Sequence, residues 1–190
     1  MAEHTDPRIT RTAQAFEQAM TELAAERPVS QITVAELAGR ARVTRATFYN
    51  RYTSPLELLV QILYADLERA HALERARVEE GGYTSVQLLR MSIGDVVDHV
   101  ERFKAVYRHA LSDPADRGAY QALVRHFADY ALAFMAQCAH PDLPAANRRI
   151  MARFVAHGFA GAIEAWVGDE AATKTDLIDA AVACAPAWWS

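Results

Sequence analysis

Residues 32–59, ITVAELAGRARVTRATFYNRYTSPLELL, decide the fold. Two short helical signals stand there, separated by a break and followed at once by a third. Thr33-Val-Ala-Glu36 has the hydroxyl and carboxylate spacing of a capping box. It predicts a helix through Arg40, with Val34, Leu37 and Ala38 on the buried side. Ala41-Arg42-Val43 interrupts it, and Thr44 caps a second short helix that runs to about Tyr52. Ser54-Pro55-Leu56-Glu57 supplies an N-cap, a proline at the first helical position and a glutamate at the third, and opens a further helix. Two short helices joined by a tight turn read as a helix-turn-helix, whose second helix lies in the major groove of DNA.

The residue types on that second helix suit the task. Val43, Phe48 and Tyr52 pack inward with Val34 and Leu37, which leaves Arg45, Ala46, Thr47, Tyr49, Asn50 and Arg51 facing outward. Arginine at the start of a reading helix bonds a guanine edge through two donors, and threonine bonds a base or touches a thymine methyl. Arg45 and Thr47 are therefore the candidate base readers. Tyr49, Arg51 and the capping hydroxyls of Thr33 and Thr44 are candidates for phosphate, helped by backbone amides at the starts of both short helices. From Arg40 to Arg51 the chain carries Arg40, Arg42, Arg45 and Arg51 and no acid, although its formal net charge is -4. A compact basic element on an otherwise acidic chain suits local contact with phosphates.

Outward from this stretch the periodicity is helical throughout. Asp6-Pro7 caps a first helix with Ile9, Ala13, Phe16, Met20 and Leu23 on one face, ending near Arg27 because Pro28 follows. Leu56, Leu59, Leu63, Leu67, Ala70 and Leu73 predict one long helix that stops near Gly81-Gly82. Further helices are expected at about 85–102, 103–111, 114–138, 145–167 and 175–185, with breaks at Asp113-Pro114, His140-Pro141 and Gly168-Asp169. No segment alternates apolar and polar residues, so no sheet is expected. The fold class is all-α, with a three-helix DNA-binding head over 1–53 and a larger helical body over 54–190.

Composition bounds the rest. With 52% hydrophobic and 23% charged residues the chain is an ordinary globular one, and no window is apolar enough to span a bilayer. No basic start leads into an apolar run, so the expected place is the cytoplasm, with no membrane partner. Cys138 and Cys184 lack metal-ligand spacing and read as free thiols. His99, His126 and His157 share no helix face, so no metal is expected, and no other cofactor is implied. Nucleophile elbow, phosphate-binding glycine loop, metalloprotease run and Rossmann fingerprint are all missing, which argues against an enzyme.

With those residues in view, the run from Ile32 to Leu59 resembles the helix-turn-helix signature of the TetR family, in a match that covers roughly residues 8–63. The Thr-Phe-Tyr core followed by Leu-Glu-Leu-Leu falls in the family's order. The resemblance implies an all-helical homodimer whose heads bind a palindromic double-stranded DNA operator. It also implies a body that binds a small-molecule effector and thereby lowers DNA affinity. Arg45, Ala46 and Thr47 match base-contacting positions of that family; Thr33, Tyr49 and Arg51 match phosphate-contacting ones. Two positions depart from its pattern. Arg42 stands where glycine is usual, and Pro55 stands where a phosphate-holding lysine is usual.

In the body, the helix expected at 145–167 sets small residues Gly158, Gly161, Ala162 and Ala165 beside bulky Val155, Phe159, Ile163 and Trp166. An apolar surface wider than one face needs two partners. This helix and the next, with Leu177, Ile178, Ala181 and Val182, are expected to pair across a two-fold axis. Met91, His99, Phe103, Tyr107, Phe127, Tyr130, Phe134 and Trp166 are the candidate effector-cavity residues, each of which taken singly fits an ordinary core better. Trp188 and Trp189 end the chain either packed on the body or as an exposed tail. A DNA-bound adaptor that recruits a protein is the reading that competes with a ligand-responsive repressor.

Overall fold

The structure, a computed structural model, describes residues 7–112, 114–137, 143 and 147–189. Among them run α1 (Pro7–Glu26), α2 (Val34–Arg40), α3 (Arg45–Tyr49), α4 (Pro55–Glu80), α5 (Ser85–Arg102), α6 (Lys104–Ser112), α7 (Arg117–Gln137), α8 (Arg148–Gly168) and α9 (Lys174–Cys184). Short 3-10 turns occupy Val29–Gln31, Pro114–Asp116 and Ala187–Trp189, and the described residues include no strand. The fold is all-α, as the periodicity indicates. The cap at Asp6 and the breaks at Asp113 and His140-Pro141 lie outside the described residues, as does Cys138.

Packing divides the chain into two units. The first holds the described residues up to Leu63 together with those of Ala105–Ala119; the second holds Tyr64–Lys104 and the described residues from Tyr120 onward. This division differs from a cut after residue 53. α6 and the turn after it join the N-terminal helices because Asp116, fully buried, accepts the Ser30 backbone N–H at 2.8 Å. Close approach also matters here. A Cβ on Gly118 would sit 2.6 Å from Cδ2 of Leu56, so glycine lets the start of α7 lie against the start of α4.

Inside the first unit, Phe16, Met20 and Leu23 of α1 are buried with Leu37 of α2 and Phe48 of α3. Phe16 meets Phe48 and Tyr52 edge-on, at centroid distances of 5.4 and 6.0 Å. Val34 and Val43, expected inside, are only half-buried. Both capping signals form. Thr33 Oγ1 accepts the Glu36 N–H at 3.2 Å while Glu36 Oε2 accepts the Thr33 N–H at 3.0 Å, and Thr44 Oγ1 accepts the Thr47 N–H at 3.2 Å. At α4, Ser54 caps Glu57 as expected, but the Glu57 carboxylate reaches back one residue further, to the N–H of Thr53 at 2.6 Å.

The turn between α2 and α3 closes as a Schellman motif. The Val43 N–H bonds the Ala38 carbonyl at 2.9 Å, the Arg42 N–H bonds the Gly39 carbonyl at 3.2 Å, and Arg42 sits at φ 56° between them. This left-handed position is the one glycine normally fills, and Arg42 is the single non-glycine with positive φ among the described residues.

In the second unit, α9 packs on α5 and α8, and the buried side chains of α5, α7 and α8 form the core. Trp188 packs back on it, buried with Ala131, Met135 and Ala152, and stacks on Trp189 at 5.3 Å. Two polar groups interrupt this core. Asp66 of α4 takes the His99 Nδ1–H at 2.7 Å and is also held by Arg69 and Arg102. Burial raises the Asp66 carboxyl, but those bonds outweigh it and bring it to about 2, while burial holds His99 below its ordinary value. The other group is His126 of α7, whose Nε2 lies 2.7 Å from His71 Nε2 of α4. Burial first, then the neighbouring imidazoles of His71 and His99, hold His126 down to about 4.

Leu73, assigned by spacing to the buried stripe of α4, is 52% exposed; the buried line runs from Ala70 to His71 and Glu74 instead. α3 stops at Tyr49 rather than Tyr52, α7 starts at Arg117 after a 3-10 turn, and α8 starts at Arg148, where Asn147 Oδ1 accepts the N–H groups of Arg149 and Ile150.

Two outcomes follow from these features. Arg42→Gly removes the left-handed strain at the price of a freer unfolded chain, for a net stabilisation of about 0.5–1 kcal/mol in urea unfolding. A loss of stability would contradict the strain. The second concerns His126, whose native imidazole stays neutral until about pH 4 whereas the unfolded one protonates near pH 6.5. Its contribution is therefore complete above pH 6.5 and is lost as pH falls toward 4, on the order of 3 kcal/mol. Urea midpoints from pH 7 to 4.5 should fall more steeply for the wild type than for His126→Gln; parallel curves would count against the burial argument.

Candidate nucleic-acid interface and cavity

α3 presents the candidate reading surface. Arg45, Ala46, Asn50 and Arg51 are exposed, and Tyr49 is 56% exposed, its ring edge-on to Phe48 at 5.6 Å. A tyrosine so far from the core, one residue after a fully buried phenylalanine, gains nothing from folding. Thr47 is half-buried, and its hydroxyl shares a hydrogen bond of 2.8 Å with that of Thr44. Both hydroxyls therefore lie at the same edge of α3, close to Arg45.

The basic run is smaller than the sequence indicates. Arg40 bonds Glu22 at 3.1 Å and lies 3.7 Å from Glu26, which neutralises it within the unit. Arg42, Arg45 and Arg51 have no ion pair among the described residues. Thr33 is also committed, since its hydroxyl donates to Glu36 Oε2 at 2.8 Å. The Thr33 backbone and hydroxyl bonds and the Arg27 guanidinium at 2.6 Å keep Glu36 below the usual carboxylate range. The start of α2 thus already holds its own ionised carboxylate, which weakens the expectation that Thr33 grips phosphate. No carboxylate stands at the start of α3.

The second unit carries a half-open cavity of about 590 Å³. Of the residues expected there, Phe127 and Tyr130 line it. The other six do not, for identifiable reasons. His99 is bonded to Asp66, and Phe103 is buried against His99 at 5.1 Å. Tyr107 is buried in the first unit. Phe134 stacks on Trp189 at 5.2 Å, while Trp166 donates to the Ala172 carbonyl at 3.2 Å and lies under Lys104. Met91 is half-buried away from the cavity wall.

The wall is mostly aliphatic and aromatic, with Ile93, Val96, Phe127, Val155 and Phe159 prominent. Its polar end is built on α4. Glu74 accepts a short hydrogen bond from the Tyr130 hydroxyl, and its Oε2 lies 3.7 Å from His71 Nδ1. Burial pushes the Glu74 carboxyl up, but bonds from His71, Tyr130 and Ser92 prevail and hold it below its ordinary value. The Tyr130 phenol, buried beside that carboxylate, is driven up and stays protonated. The His71 ring stacks on Tyr130 at 4.0 Å. His71 and Glu74 escape a reading that looks for aromatics. Their signal was an acid four residues after Ala70, where the stripe of α4 calls for an apolar side chain.

Gly158, Ala162 and Ala181, expected at a dimer interface, also line the cavity. Leu177 is buried within the chain, Ile178 reaches Gly94 of α5, and Val182 is half-buried. The exposed line of α8 consists of Ile150, Phe154, Gly158, Gly161 and Ala165, with Phe154 82% and Ile150 67% exposed. Among the described residues no helix is long and apolar enough to cross a membrane.

No family model and no curated protein matches this sequence. Solved structures do match it. A TetR transcriptional regulator from Streptococcus agalactiae is 20% identical with a TM-score of 0.63, covering 96% of this chain and 98% of its own. A protein described as a TetR-family regulator from Syntrophomonas wolfei is 12% identical with a TM-score of 0.66, covering 92% of both chains. The fatty acid degradation regulator FadR from Bacillus halodurans is 12% identical with a TM-score of 0.61, covering 90% and 95%. Similar in structure to them along nearly its whole length, this chain has the fold of the TetR-family transcriptional regulators.

Proposed function

We propose that the chain is a sequence-specific DNA-binding regulator, not an enzyme, that acts in the cytoplasm as a homodimer on a palindromic operator and represses until a small-molecule effector releases it. The observation that carries the reading is α3: a short helix anchored by Phe48 and Tyr52 that turns Arg45, Tyr49, Asn50 and Arg51 to solvent. Arg45, Ala46 and Thr47 read bases; Tyr49, Arg51 and Thr44 hold backbone phosphates.

The exposed side of α8 suits two-fold pairing. The exposed Ile150 and Phe154 are large apolar side chains with nothing over them, and Gly158, Gly161 and Ala165 let a second helix approach closely. Charge agrees with an antiparallel arrangement. The start of α8 carries exposed Arg149, Arg153 and His157 and its end carries exposed Glu164, so each end faces its opposite in a second copy.

The cavity favours sensing over the adaptor reading, because an adaptor needs no internal space and this one has the size and apolar lining of a small-molecule site. Its walls suit an aliphatic chain, the kind of molecule that the name of the Bacillus halodurans regulator brings up. α4 carries His71 and Glu74 on the cavity wall and Leu58 and Leu59 in the core of the first unit. One continuous helix thus couples occupancy to the head.

Selection of bound duplexes from a random pool tests the reader. The wild type should enrich a two-fold symmetric motif. Arg45→Ala should weaken binding to it by about 1–3 kcal/mol and relax one position, whereas Arg51→Ala should weaken all sequences alike and lower the salt slope by about one. Enrichment of no sequence would remove the specific-reader proposal. For the dimer, Phe154→Glu should give a monomer in sedimentation and lose operator binding; an unchanged dimer would move the interface elsewhere.

A further inference from the structure

The polar end of the cavity holds one carboxylate, Glu74, and one imidazole, His71, and neither lysine nor arginine lines the wall. We propose that the cavity takes a lipophilic organic cation, an amine or ammonium carried on an apolar body, with its charged head at Glu74. This rests on the effector reading above and specifies the chemistry of that site.

The sign of the charge decides the class. Apart from the His71 imidazole, which lies against Glu74, no basic side chain lines the wall to receive a carboxylate or phosphate. A carboxylate ligand would bring a second anion beside Glu74 inside apolar walls, where like charges repel strongly and neither is hydrated. A cation reverses every term. The Tyr130 hydroxyl and His71 approach Glu74 at Oε2, and Ser92 also bonds the carboxylate. A carboxylate accepts several hydrogen bonds, and an ammonium head would add a charge-assisted one.

The aromatic faces agree. Tyr130 and His71 are stacked plane on plane, and Trp189 lies 6.4 Å from Tyr130 at an angle of 29°, so the end of the cavity that holds Glu74 is aromatic. Beyond them, Phe127 and Phe159 pack edge-on at 4.9 Å and continue the apolar wall along which a hydrocarbon body lies. The length and branching of that body are set by the space, and its head by Glu74.

The test uses three probes with one tail and different heads: dodecylammonium, dodecanol and dodecanoate, each below its micellar concentration. They are titrated into the full chain by calorimetry and by fluorescence of Trp189 and its neighbours. In the wild type, dodecylammonium should bind at least about ten-fold more tightly than dodecanoate, with dodecanol between them. In Glu74→Gln, dodecylammonium should lose about ten-fold while dodecanol changes less than about two-fold, the latter also showing that the variant's cavity is intact. Dodecanoate binding as tightly as dodecylammonium would overturn the inference and leave the effector reading standing. A ranking that survives Glu74→Gln would overturn it as well, by placing the charge preference elsewhere. Binding of none of the three, with operator selection successful, would overturn both this inference and the effector reading while leaving the DNA reader in place.

Discussion

A five-residue helix makes too few hydrogen bonds to hold itself together in water, so whatever α3 offers to a partner depends on what grips it from behind. That grip is Phe48. It is fully buried, edge-on to Phe16 and in contact with Tyr52, and so ties α3 to α1 through ring contacts worth more than their area alone. The Thr44 cap sets where the helix begins, and the Schellman turn at Arg42 sets the angle at which it leaves α2. Each of these is local and cheap. Together they present Arg45 and Tyr49 in one orientation, so that recognition need not expend binding energy on ordering them.

The elements that were legible in the sequence are those governed by local chemistry. Capping hydroxyls and prolines placed the starts of α2, α3 and α4 to within a residue, because a cap acts over three or four positions and needs no tertiary partner. Arg42 in the glycine position could likewise be read as a left-handed residue. What was not legible depends on distance. Nothing near residue 116 announces that its carboxylate is buried under Ser30, so a division of the chain at residue 53 misses the packing of α6 with the N-terminal helices. The lining of the cavity depends on distance as well. Aromatic residues are equally content in a core, and of the eight candidates Phe127 and Tyr130 line it. Glu74 was identifiable only as a conflict between helix position and residue type, and such conflicts tend to mark function.

Burial of ionisable groups separates two roles within the second unit. Asp66 is surrounded by His99, Arg69 and Arg102, so its charge is answered on several sides and the group behaves as structure. Glu74 is bonded by Tyr130, His71 and Ser92, feels the charge of Arg77 beyond them, and lines the cavity. An ionised carboxylate held against apolar walls is expensive, and here it does not close the core. The two acids, eight residues apart on one helix, thus differ in surroundings: one is closed in by ion pairs and the other borders the cavity.

Charge also constrains how the reading helix works. Arg40 is spent on Glu22 and Glu26, which leaves Arg42, Arg45 and Arg51 as the unpaired cations of the basic run in a chain of net charge -4. Few cations release few counterions, so the sequence-independent part of DNA affinity is small for one copy. A single head would dissociate from most DNA at physiological salt. In the proposed dimer, two heads would add their phosphate and base contacts on the same duplex, the second engaging at high effective concentration. A weakly basic reader would gain specificity from being weak, since only a site that satisfied both copies at once would hold such a dimer, and an effector that spoiled the spacing of the two heads would remove most of the affinity.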